Sequence, residues 1–282
     1  MLPPSPTAMS DVIKIEKVPV ENGDGIIALV SINRPNKLNA LNHEIFSGLK
    51  EMCDWAEADD EVRVVIITGS PPEEAHDGKR AKPHAFVAGA DIGEFVGKNS
   101  EDIRTLFKDN AWEAIWNLSK PTIAMVDGYA LGGGCEIACS CDIRIASTRA
   151  DFGTPEIKLG LIPGGGGTQR LAHLIGYGRT MELVMSGENI DAEEAHRIGL
   201  VNRVCPPSEL RSTTLALAQS IAAKSSHTLK VAKQVIRAAL ESGISAGIAI
   251  EAEAFANLFD SEDKEIGVKA FLAREKPEWK HR

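Results

Sequence analysis

The stretch Ile26–Thr68, IIALVSINRPNKLNALNHEIFSGLKEMCDWAEADDEVRVVIIT, carries a strand, a helix and a second strand in that order. Its ends, Ile26–Ile32 (IIALVSI) and Val62–Thr68 (VRVVIIT), are short apolar runs rich in β-branched residues. That is the pattern of strands buried on both faces. Between them, Ile45, Leu49, Met52, Cys53 and Ala56 recur at helical spacing over Asn42–Ala58, and Asn42 stands where an N-cap belongs. A β–α–β unit predicts parallel pairing with a right-handed crossover, and hence an α/β fold.

Working outward, Ser70–Pro83 (SPPEEAHDGKRAKP) is polar, holds three prolines and reads as a loop. Glu101–Leu118 reads as one helix bearing Ile103, Leu106, Phe107, Ile115 and Leu118, stopped by Pro121 before a strand at Thr122–Val126. A short helix at Cys135–Ser140 and a strand at Ile143–Ala146 follow. From about Ser208 no convincing strand appears, and three amphipathic helices fit: Glu209–Lys224, Thr228–Ser242 and Ile244–Phe259. The expected division is a Pro-rich disordered extension at 1–10, a mixed core at 11–207 and a helical lobe at 208–282.

The sequence has 282 residues, 43% of them hydrophobic, with a formal net charge of −9. That is enough for a large core. No dense Lys/Arg stripe marks a nucleic-acid face, no run approaches a membrane span, and residues 1–10 lack the apolar region of a signal peptide. The five cysteines, Cys53, Cys135, Cys139, Cys141 and Cys205, are odd in number and lack the spacing of a disulfide framework or zinc site. They read as small buried apolar residues in a reducing compartment, so we expect no metal and a cytoplasmic protein.

Two glycine-rich segments carry the chemical signal: Gly128–Glu136 (GYALGGGCE) and Gly160–Leu171 (GLIPGGGGTQRL). Neither has the P-loop ending or the Rossmann spacing. Glycines before a helix let backbone N–H groups approach a ligand closely, as an oxyanion hole requires. Taken alone, such runs more often form packing turns. Glu136 changes that reading, because it sits among apolar neighbours (CEIAC), where burial raises a carboxyl pKa toward the range useful for proton transfer. Glu156 sits similarly in FGTPEIKLGL. The two read as an acid/base pair, or as structural carboxylates paired with Arg144 or Arg170.

Four segments together resemble the crotonase, or enoyl-CoA hydratase/isomerase, superfamily. They are Asn33–Leu41 (NRPNKLNAL), Ala85–Ile92 (AFVAGADI), Asp127–Glu136 (DGYALGGGCE) and Asp151–Leu171 (DFGTPEIKLGLIPGGGGTQRL), supported by Gly187–Val201 and the tail Phe271–Lys280. The resemblance implies a spiral of ββα turns followed by a helical lobe, assembling as a trimer or a dimer of trimers. It implies an oxyanion hole from the N–H groups of Ala90 and Gly133. It also places Lys37, Leu38, Ala40, Ala88, Asp91 and Ile92 along the coenzyme A path. Coenzyme A enters as part of the substrate, and no separate cofactor is expected.

The family's hydratases are similar to this chain in having Glu at both catalytic positions. That implies reversible hydration of a 2-enoyl-CoA, with Glu136 serving the water and Glu156 the proton at C2. A short substrate such as crotonyl-CoA or acryloyl-CoA is expected, as in fatty acid metabolism. Trp112 and Trp116 stand four apart on one helix face. The resemblance implies that this region walls the acyl end, which two indoles would fill, the alternative being that both simply pack into the core. The alternatives are an isomerase that moves the double bond, and a nucleic-acid-binding member of the same fold. The four glycines at Gly164–Gly167 and the long Ser70–Pro83 loop depart from the family pattern.

Overall fold

The computed structural model describes residues 11–73, 82–106 and 110–282. The proposed extension at 1–10 and most of the Ser70–Pro83 loop lie outside them. The strands are β1 (Ile13–Pro19), β2 (Ile26–Ile32), β3 (Val62–Gly69), β4 (Ala85–Val87), β5 (Thr122–Val126), β6 (Tyr129–Leu131), β7 (Ile143–Ser147), β8 (Asp151–Gly153), β9 (Ile190–Asp191) and β10 (Arg203–Cys205). The helices are α1 (His43–Ala58), α2 (Ser100–Leu106), α3 (Ala111–Asn117), α4 (Gly133–Ser140), α5 (Gly167–Ile175), α6 (Tyr177–Ser186), α7 (Ala192–Arg197), α8 (Leu210–Ala222), α9 (Ser226–Glu241), α10 (Ile244–Asn257) and α11 (Glu262–Ala273).

The β2–α1–β3 unit forms as its sequence predicts, with β2 and β3 parallel and Asn42 Oδ1 accepting from Ile45 N at 3.0 Å to cap α1. Successive turns then repeat one plan. β3, β5 and β7 add parallel strands to a six-stranded sheet of order β1-β2-β3-β5-β7-β10. The strand that follows each, β4, β6 or β8, joins a second sheet of order β4-β6-β8-β9. This is the expected spiral of ββα turns.

Burial on both faces of the large sheet follows from its residues. Ala28, Val30, Val65 and Ile67 face one cluster with Ile45, Leu49 and Trp112. Ile27, Leu29, Val64 and Ile66 face another, completed by Leu210, Ala218 and Ala222 of α8. Both faces are therefore dry, and the strands need no alternation of apolar and polar residues. The chain's end docks back on this body: Trp279 Nε1 donates to Ala223 O at 2.9 Å, and buried Asp263 accepts from the N–H groups of Lys280 and His281.

Several expectations need correction. The single helix read at Glu101–Leu118 is two, α2 and α3, with Asn110 capping the second through Glu113 N at 2.7 Å. Phe107 lies outside the described residues. A fourth helix, α11, follows the three expected after Ser208, with Ser261 as its N-cap. Strand β1 pairs antiparallel with β2 although its alternating IKIEKVP marks it only weakly.

Candidate active site

Residues 33–41 and 88–92 run side by side. Leu41 N donates to Gly89 O at 2.8 Å, Asp91 N to Leu41 O at 2.7 Å and Ala88 N to Leu38 O at 3.1 Å. An Arg34–Asp91 ion pair at 2.8 Å ties the segments together, and the guanidinium holds the Asp91 carboxyl below the usual carboxylate range. Lys37, Leu38, Ala40, Ala88, Asp91 and Ile92 thus fall on one paired strip, with Lys37 and Ile92 exposed.

The residue that shapes this strip was not among the candidates. Buried Asn39 adopts the left-handed conformation, as does Leu38 before it. Its Oδ1 accepts from Arg34 N at 2.9 Å, and its Nδ2 donates to Ser70 O at 2.9 Å and Ala85 O at 2.8 Å. Asn tolerates that backbone better than other non-glycine residues. The signal available in sequence was an Asn in a loop with no helix to cap.

The first glycine run has close neighbours on every side. A Cβ on Gly134 would stand 2.0 Å from Val87 O, and one on Gly132 would stand 3.0 Å from Glu156 Oε1. Gly133 begins α4, and a Cβ there would stand 3.8 Å from Ala90 N. Among the described residues no acceptor takes the N–H of Ala90 or Gly133. Two free backbone donors therefore border the same space.

The second glycine run does something different from what its sequence suggests. Its N–H groups reach a side chain of the protein: Gly165 N and Gly167 N donate to Glu136 Oε1 at 2.7 and 2.8 Å. A side chain on Gly165 would overlap the Trp112 indole, and one on Gly167 would stand 2.9 Å from Glu136 Oε1. The four-glycine stretch is thus a cradle for a carboxylate.

Glu136 is 2% exposed. Burial, reinforced by the charge of Glu156, pushes its pKa up to about 7 against the pull of the Gly165 and Gly167 N–H groups and Arg170. Glu156 sits on the turn Pro155–Leu159, and burial raises its pKa too. Its Oε2 is buried without a hydrogen-bond partner, as is Thr154 Oγ1. Neither arginine weighed as a structural partner pairs with these acids. Arg144 donates to Leu200 O, Ala138 O and Cys141 O, and Arg170 to Gly165 O and Glu113. Two carboxylates of raised proton affinity, with no cation among the described residues paired directly to either, suit proton transfer.

The structure divides the two tryptophans. Buried Trp112 donates from Nε1 to Gly133 O at 3.0 Å and packs edge-on to Phe46 at 4.8 Å. Trp116 lies instead against Arg170 and Arg237, whose guanidinium carbons stand 5.0 and 4.1 Å from its ring centroid. The first indole thus packs against Gly133 and Gly165, the glycines that flank the acids. All five cysteines are buried and unbridged.

With this geometry in view, comparison with known proteins is specific. The family model described as enoyl-CoA hydratase/isomerase matches residues 22–282. A short-chain-enoyl-CoA hydratase of Clostridium acetobutylicum is 43% identical over 257 residues, covering 90% of this chain and 94% of that protein. A crotonyl-CoA hydratase of Syntrophomonas wolfei is 38% identical, covering 89% and 93%. The solved structure of enoyl-CoA hydratase from Bacillus anthracis is similar at a TM-score of 0.87 and 32% identity, over 96% of this chain and 100% of that one.

Proposed function

The chain belongs to the enoyl-CoA hydratase/isomerase family, and on that premise we infer that it is a hydro-lyase. It adds water reversibly across the double bond of a 2-enoyl thioester of coenzyme A. The observation that carries the assignment of its acids is Glu156 Oε2, buried and unpartnered on a carboxylate whose charge Glu136 feels. An orphaned buried acceptor of this kind suits a bound water or reacting atom.

In the reaction, the N–H groups of Ala90 and Gly133 hold the thioester oxygen and stabilise the enolate charge that develops on it. A water lies between the carboxylates. Its oxygen bonds to C3 while Glu136 takes its proton, and the π electrons shift toward C2 and the thioester oxygen. Glu156 in its protonated form delivers a proton to C2, and return of the proton from Glu136 to Glu156 restores the pair. Both acids need proton affinities near neutrality for this exchange, in keeping with the rise that burial gives each. Lys37, Leu38, Ala40, Ala88, Asp91 and Ile92 line the coenzyme A path, mostly through backbone atoms. Coenzyme A is part of the substrate, and no other cofactor takes part.

A short acyl chain is the favoured substrate. Trp112, packed against Gly133 and Gly165, supports this by filling space beside the acids. Assembly as a trimer or a dimer of trimers fits the apolar side chains exposed on α9, α10 and α11, among them Ile236, Ile244, Phe255 and Phe271. No described helix is long and apolar enough to cross a membrane. The unbridged thiols are in keeping with the cytoplasm.

Purified protein mixed with enoyl-CoA thioesters of three to sixteen acyl carbons tests the reading. Loss of the conjugated-thioester absorbance with formation of a 3-hydroxyacyl product is expected. Migration of the double bond without uptake of water would contradict it.

A further inference from the structure

Glu136 is not placed by its own helix alone. Because its Oε1 hangs from Gly165 N and Gly167 N, its position follows the turn that presents them. Arg170 grips that turn from outside. Its Nη1 donates to Gly165 O at 2.6 Å, and its guanidinium lies so close over Gly166 that a Cβ there would stand 2.2 Å from Nη1. Its Nη2 donates to Glu113 Oε1 at 2.7 Å.

The grip continues into the carboxy-terminal helices. The Trp116 ring contacts both Arg170 and Arg237 of α9. Arg237 and Lys233 both pair with Asp142, at 2.9 and 2.7 Å, and Asp142 also accepts from Thr122 N and Oγ1. An unbroken series of contacts therefore joins α9 to the carboxylate.

We propose that Arg170 is a positioning residue for Glu136, steadied by Trp116 and, through that ring, by Arg237. The inference rests on the role given to Glu136 above. A guanidinium offers a planar fork that can hold Gly165 O and Glu113 together, which an ammonium point charge cannot do as well. Trp116 holds both guanidinium groups over its ring, at 5.0 and 4.1 Å from the centroid, an interaction strengthened by partial desolvation. The charged groups facing Glu136 are Glu156, which favours its protonation, and Arg170, which opposes it. Loss of Arg170 therefore leaves Glu136 protonated to higher pH and its oxygen less well held.

The test compares Arg170→Gln, Trp116→Leu, Trp116→Phe and Glu136→Gln in the full chain, using crotonyl-CoA. For Arg170→Gln, kcat should fall up to about 10²-fold, the scale of a displaced catalytic group. KM should stay close to wild type, and the acid limb of the kcat–pH profile should move upward. Trp116→Leu should shift the same quantities less, and Trp116→Phe, which keeps an aromatic face, should restore them. Trp116 borders a cavity of about 690 Å³, so its truncation enlarges an existing space. If Glu136→Gln is inactive while folded Arg170→Gln keeps the wild-type kcat and acid limb, the inference is overturned. If Arg170→Gln does not fold, an unmoved limb in Trp116→Leu overturns it. If Glu136→Gln itself turns over normally, the role of Glu136 fails and the inference with it.

Discussion

Gly165 N donates to Glu136 Oε1 at 2.7 Å, a bond between residues 29 apart in the chain that joins the two glycine-rich segments. One segment supplies the carboxylate and a free N–H at Gly133, and the other aims its donors at that carboxylate. The division explains why two similar-looking runs occur in one sequence. It also gives the acid a defined position while, among the described residues, no cation pairs with it directly.

The proton affinity of Glu136 sets a pH dependence for both rate and stability. If its carboxylate takes the proton from water, kcat for hydration should rise with pH and level off above about 7. Its folded pKa lies above the ordinary value of 4.5, so the native state binds the extra proton between those limits. Stability from this group is therefore present below about 4.5 and is lost as pH rises through about 7. The change is about 3 kcal/mol at most, from the size of the shift. Thermal melts of wild type and Glu136→Gln across this range should show wild type losing ground as pH rises. Parallel curves would contradict the expectation.

The proposed role of the Gly133 N–H as an oxyanion donor can be separated from the effect of crowding. This residue opens α4, a position where helices accept proline, and proline there removes the N–H at the cost of added ring atoms. Gly133→Ala adds a Cβ within 3.1 Å of Leu41 Cδ1 yet keeps the donor, and so controls for crowding. Gly133→Pro should lose about 10²–10³-fold in kcat beyond the loss in Gly133→Ala. Equal losses in the two folded variants would place the donor elsewhere.

Asn39 should prove structural first and functional second. Asn39→Ala removes three hydrogen bonds and leaves a left-handed residue with a Cβ, which should cost about 2–4 kcal/mol in denaturant unfolding. Asn39→Gly should cost less, because glycine accepts the backbone. KM for the thioester should rise in both, since the strip bearing Lys37–Ala40 loosens. An unchanged KM in a destabilised variant would remove that strip from the binding path.

Chain-length preference should depend on Trp112 and not on Trp116. Wild type should favour a four-carbon over a ten-carbon thioester. Trp112→Phe should raise the relative kcat/KM for the longer substrate by about tenfold, the scale of discrimination a hydrophobic pocket supplies. Trp116→Leu should lower turnover of both alike. A wild type that prefers ten carbons would overturn the short-chain assignment.

Much of this was legible in the sequence because long apolar runs and caps act locally. IIALVSI and VRVVIIT could be buried on both faces only as central strands, and Asn42 marked the start of α1. The second sheet was hidden because its strands, such as AFV, YAL and DFG, span only three residues, too few for a period to show. The helix read at Glu101–Leu118 divides because Asn110 caps a new start inside it. At the site, the acids were legible as carboxylates in apolar surroundings. The partners of the Gly164–Gly167 run, the placing of Trp116 against two arginines and the hydrogen bonds of Asn39 were not. Each depends on residues brought together from distant parts of the chain.

The central claim is that Glu136 and Glu156 act on one water in hydrating an enoyl thioester. Its most direct test is the kcat for crotonyl-CoA hydration in Glu136→Gln, Glu156→Gln and the double variant, with folding checked by thermal melts. Each single change should lower kcat by at least about 10²-fold, the usual scale for general acid–base catalysis. The double change should fall far less than the product of the two, because the groups serve one water. Near-normal turnover in either folded single variant, or a strictly multiplicative double loss, would contradict the account.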